Sequence, residues 1–152
     1  MDRRLRTTLA LTGSALAVAG VALAPPASAD GHVTTFRTTL LGANEAPGPG
    51  DPDGSGTAVL RINGETGRIC YVLTATGVAP LRAAHIHEAP AGAPGGIVQE
   101  LVAPGQGKRT GPSRDCVRNP GLARQILADP AGYYVNVHNR KFLGGALRGQ
   151  LG

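Results

Sequence analysis

Glycine and proline set the terms for this chain. It carries 23 glycines and 12 prolines, all but four of them after residue 29. That density borders on low complexity, but the residues are grouped, and the groups alternate with short apolar runs. Such punctuation is turn chemistry between strands. Val33 to Leu41 reads as a first strand with Phe36, Thr38 and Leu40 on one face, followed by a long exposed loop from Gly42 to Gly56. Thr57–Ile62 and Arg68–Thr74 alternate around the turn Asn63-Gly64-Glu65-Thr66-Gly67, which predicts a β-hairpin. Arg82–Glu88 and Gly96–Val102 are two more strands flanking a flexible Ala89–Gly95 linker, and Pro104–Ser113 is another loop. Asn119 then suits a helix N-cap and Pro120 a first helical position, with Leu122, Ile126 and Leu127 as an apolar stripe ended by Pro130. Tyr133–His138 and Ala146–Leu151 close the chain as a strand pair. Seven short strands, one short helix and no strand–helix–strand alternation predict an all-β, antiparallel Greek-key β-sandwich.

The first 29 residues belong to a different class. Arg3, Arg4 and Arg6 precede a mostly apolar run from Leu9 to Ala24, and Ala27-Ser28-Ala29 is a small-residue cleavage pattern. The run falls short of the ~20 residues needed to cross a bilayer. Residues 1–29 therefore read as a signal peptide cut after Ala29, leaving 30–152 as one domain, secreted, with no membrane span. Arg3-Arg4 is compatible with twin-arginine export, although the general route is the default.

Export changes what charge and cysteine imply. The formal charge of +5 includes the three leader arginines, so the mature chain is less basic than its total suggests. Arg114, Arg118 and Arg124 read as a solvated face across a loop and a helix start, and nucleic acid is not an expected partner. Cys70 and Cys116 are the two cysteines. In an oxidising compartment a disulfide between them is the economical reading, and two free thiols are the alternative.

Three stretches go beyond secondary structure: Ala84-His85-Ile86-His87-Glu88-Ala89-Pro90 with Gly95-Gly96-Ile97-Val98, Tyr133-Tyr134-Val135-Asn136-Val137-His138-Asn139, and Gly144-Gly145-Ala146-Leu147-Arg148-Gly149-Gln150-Leu151. With Leu41–Pro47 and Gly54–Ala58 before them, they resemble the CHRD domain, named for chordin and also found as a free-standing secreted domain in bacteria. The resemblance implies a sandwich similar to immunoglobulin-like and copper-zinc superoxide-dismutase-like folds. It assigns no activity, and the cysteine-rich binding modules of chordin are missing here.

The histidines carry the remaining chemistry. His85 and His87 are two apart on a strand and share a face, and His138 ends a later strand. Three imidazoles so placed could hold copper or zinc; the resemblance to the dismutase-like sandwich points the same way. Alternatively the rings simply hydrogen-bond to Asn136, Tyr134 or loop carbonyls. Glu88 beside His87 points to the opposite face. A second site depends on cleavage after Ala29: the new terminus Asp30-Gly31-His32 would offer an amine, two amides and an imidazole, a square-planar set for Cu(II) or Ni(II). A dinuclear copper-zinc dismutase centre needs about six imidazoles, and the chain has four histidines. Ser55 and Ser113 sit in Gly/Pro loops without a nucleophile elbow. The reading is a non-enzymatic binding module for an unidentified extracellular ligand, with a small copper- or zinc-binding protein as the alternative and dismutase-like chemistry a distant third.

Overall fold

The structure is a computed structural model describing residues 32–106 and 111–152; the leader, the cleavage point, Asp30 and Gly31 lie outside the described residues. Eight antiparallel strands form it: β1 (Val33–Leu41), β2 (Ser55–Asn63), β3 (Arg68–Thr76), β4 (Leu81–Glu88), β5 (Gly96–Leu101), β6 (Ser113–Arg118), β7 (Tyr133–Asn139) and β8 (Leu147–Gln150). One helix, α1 (Pro120–Ala128), lies between β6 and β7. The all-β class with one short helix is as the sequence predicts.

By hydrogen bonding the strands make one sheet in the order β5-β4-β7-β8-β1-β2-β3-β6, where two separate sheets were expected. The junction between its halves is narrow: β1 and β8 meet through the single pair Leu41↔Arg148. The sheet folds over at that seam, so that Leu60, Ile62 and Ile69 from one half join Ile86, Val135 and Val137 from the other in one core. The amide of Val102, just past β5, donates to the Tyr71 hydroxyl on β3 at 2.9 Å, tying the two halves together across the fold.

The β2–β3 hairpin forms as predicted. Asn63 Oδ1 accepts from the Glu65 and Thr66 amides at 3.0 and 2.8 Å, and Gly67 turns the chain at φ +70°. A side chain at Gly67 would also meet Pro120. The helix starts where expected, with the Asn119 side chain accepting from the Leu122 amide at 3.2 Å. Leu122, Ala123 and Ile126 face the core.

Three expectations need correction. An eighth strand, β6, begins at Ser113 and carries Arg114 and Arg118, which were expected in a loop and a helix start. Its Ser-Arg-Asp-Cys-Val-Arg sequence lacks apolar alternation because β6 is an edge strand, paired only with β3. The Gly42–Gly56 loop is not simply exposed: Glu45, Gly50, Asp51 and Gly54 are buried. The Ala89–Gly95 segment is held rather than flexible. Arg148 donates to the Pro90 and Ala93 carbonyls at 2.9 and 2.8 Å, and Gln150 to the Ala89 carbonyl at 2.8 Å.

Candidate metal centre

Strand parity decides which side chains meet. On β4, Ala84 and Ile86 turn into the core, so His85 and His87 turn outward; on β7, Val135 and Val137 turn inward, leaving Tyr134, Asn136 and His138 outside. Register completes the arrangement. His87 lies opposite Tyr134 and His85 opposite Asn136, with His138 one diagonal further on, opposite Ala83. These outward positions are nonetheless buried: His85 and His87 are each 7% exposed, because the Pro90–Gly95 and Arg140–Ala146 segments lie over them.

Each ring has one nitrogen committed to an oxygen acceptor. His87 Nδ1 donates to the Gly95 carbonyl at 2.9 Å, His138 Nδ1 to the Leu143 carbonyl at 3.0 Å, and His85 Nε2 to the Glu100 carboxylate at 3.0 Å. A neutral imidazole has one N–H, and these partners can only accept, so for His85 and His87 they place it on Nε2 and Nδ1. His85 Nδ1 and His87 Nε2 are left with lone pairs, whereas His138 meets an oxygen acceptor at both nitrogens, Leu143 at Nδ1 and Asn136 at Nε2. One nitrogen from each ring lies within 4.8 Å of the other two.

The rings meet at His138 Nε2, which lies 3.0 Å from His85 Nδ1 and 2.9 Å from Asn136 Oδ1. His87 Nε2 is buried without a hydrogen-bond partner. A proton is disfavoured there: burial, the largest effect, holds both His85 and His138 below the ordinary histidine range, with the neighbouring rings adding to the depression and Glu100 opposing it. With bonds of 2.0–2.1 Å two nitrogens on one ion lie at most about 4.2 Å apart, so rings whose nitrogens lie within 4.8 Å of one another would have to draw slightly together to share one.

Behind the rings stands a polar wall. Tyr134 stacks on His87 at 4.7 Å and 4°, and the Arg148 guanidinium covers the other face of Tyr134 at 3.4 Å. Arg148 is 1% exposed. Glu45 is buried beside it, and a side chain at Gly145 would collide with its carboxylate. Desolvation raises the Glu45 carboxyl to about 7, against the pull of Arg148 and hydrogen bonds from Asn136 and the Ala46 backbone. Glu88 turns away from the rings to Tyr133, and His32 lies apart, exposed at the start of β1.

The same three stretches that form this wall carry the family signature. The model of the CHRD domain matches residues 36–151. The chain belongs to the CHRD-domain family. No curated protein and no solved structure matches it significantly. Within this CHRD domain the sequence reading brings together His85, His87 and His138, and it names Asn136, Tyr134 and loop carbonyls as hydrogen-bond partners. The bonds to loop carbonyls and to Asn136 form, whereas the Tyr134 hydroxyl accepts from the Gly95 amide at 3.2 Å and its ring stacks on His87 instead of hydrogen-bonding to it. Sequence reasoning misses Glu45, Glu100 and Arg148. Glu45 lies far along the chain from the histidines; Glu100 and Arg148 are on the strands beside theirs, β5 next to β4 and β8 next to β7, and strand pairing sets them close.

Proposed function

We propose that this CHRD-domain protein is exported and binds a copper or zinc ion through His85, His87 and His138, acting as a binding protein rather than as an enzyme. The observation that carries the reading is the grouping of three imidazoles with one ligand nitrogen each within 4.8 Å of one another, every ring also held by a carbonyl or carboxylate. Metal-bound histidines elsewhere are oriented by such outer partners. Export is supported by the leader-like residues 1–29 and by the Cys70–Cys116 disulfide. No helix among the described residues is long and apolar enough to cross a membrane.

The test is titration of Zn(II) and Cu(II) against the mature chain by calorimetry, on a His32→Ala background that removes the separate N-terminal chelate. One ion per chain is expected. His87→Ala should lower affinity by more than the ~10–100-fold typical of losing an outer partner, while the β-rich circular dichroism spectrum is kept. Equal binding by the parent and by a folded His87→Ala variant would sink the proposal.

A further inference from the structure

The two outer faces of the folded sheet differ. Loops cover the face of β4, β7 and β8, whereas among the described residues no loop covers the outer face of β1, β2, β3 and β6. Register lays out three rows across that outer face. One reads Arg37–Val59–Val72–Arg114, the next Thr35–Arg61–Cys70–Cys116, and the third Val33–Asn63–Arg68–Arg118. All five arginines are exposed. No carboxylate occupies any of these positions. Asp115, of opposite parity on β6, has one oxygen accepting from the Cys116 amide at 2.8 Å, and Glu65 sits on the hairpin turn. Among the described residues none of the five guanidiniums forms a salt bridge.

The face is also concave. A groove of about 740 Å³ runs along Arg61, Arg68 and Arg118 over the disulfide, and a second of about 460 Å³ continues from Arg61 and Arg68 to Arg114, with Asp115 as the one carboxylate in their linings. Arg118 is held in place, its Nε donating to the Thr66 carbonyl at 3.0 Å.

We propose that this face binds a linear anionic glycan bearing sulfate or phosphate groups. Guanidinium forks match tetrahedral oxoanions, and all five cations here are arginine rather than lysine. Arg68 and Arg118 are close enough to share one oxoanion, but the five arginines together spread well beyond it. Arg114 and Arg118 stand about 13 Å apart along β6, and Arg37 and Arg114 about 14 Å apart across three strand spacings. A chain with repeated charges spans that area and an isolated phosphate does not. Nucleic acid fits less well, because bases bind such grooves by stacking on aromatic rings. Tyr133 is in the core, Phe36 and Phe142 pack against it, and Tyr134 is sandwiched at the histidines. Tyr71 touches the second groove but is 3% exposed, so no ring on the arginine face is open for stacking.

The experiment measures binding of the mature protein to dextran sulfate, to dextran phosphate and to single-stranded DNA of equal charge. Binding to at least one of the first two is expected to be tighter than to DNA; which of the two is preferred identifies the source of the oxoanion. It should fall by about tenfold or more between about 50 mM and 200 mM salt. The variants R61Q/R68Q/R118Q and R37Q/R114Q should each lose about tenfold or more, and R124Q/R140Q, whose charges lie on α1 and a far loop, should match the parent. Both face variants binding like the parent, an equal loss in R124Q/R140Q, or preference for DNA would each overturn the proposal.

Discussion

At the scale of single residues, the placement of protons governs behaviour. His85 and His138 have folded-state affinities for protons below those of the unfolded chain. Their contribution to stability is therefore present above the ordinary histidine range near 6.5 and is lost as pH falls through the depressed folded values. The metal-free protein should melt at progressively lower temperature below about pH 6.5, and a scanning calorimetry series checks it. Zinc present at about 100 times its Kd should add roughly 2.7 kcal/mol, an increment that shrinks on acidification as protons compete for the nitrogens. Glu45 acts with the opposite sign. Its folded value near 7 exceeds the unfolded 4.5, so its stabilising contribution is present in acid and lost as pH rises through 7. Glu45→Gln should match the parent near pH 5 and exceed it by about 1–2 kcal/mol at pH 9. Denaturant titrations at the two pH values decide this.

At the scale of elements, β6 is the weak member, since it has one sheet neighbour and little apolar content. The Cys70–Cys116 bond compensates by fixing it to β3 at directly opposed positions. Replacing both cysteines by serine should cost about 2–4 kcal/mol. Hydrogen exchange should show protection lost first in Ser113–Arg118. The cap on α1 is smaller in effect: Asn119→Ala should cost about 1 kcal/mol, read as a shift in denaturant midpoint. Legibility in the sequence follows the same physics. The β2–β3 hairpin and α1 announce themselves because alternation, turn residues and caps are local signals. β6 stays silent because an edge strand is freed from the burial that creates alternation. His85 and His87 are legible from parity alone. Glu45 and Arg148, by contrast, became visible only once β8 was placed between β7 and β1, an ordering that no local pattern encodes.

At the scale of the whole molecule, the two faces are separated by the core, and their ligands make no shared contacts. Metal affinity in R61Q/R68Q/R118Q should therefore equal that of the parent within error, and zinc loading should leave polyanion binding unchanged. Distant sites without shared partners are expected to be additive within about 0.3–0.5 kcal/mol. Calorimetry on the four combinations of variant and metal tests this. A coupling well beyond that range would mean that the seam between the halves moves when either face is occupied.

The pairing of β4 with β7 has a temporal consequence. His85 and His138 are brought to 3.0 Å across a sequence separation of 53 positions, and β5, β6 and α1 all lie between them along the chain. Contacts of such long range form late, after the local β1–β2–β3 meander, because the loop they close is long. A nascent or unfolded chain thus holds His85 and His87 but not the third ring beside them. If these rings hold an ion as proposed, loading would be the final act of maturation, available only to a chain that has already completed its sheet.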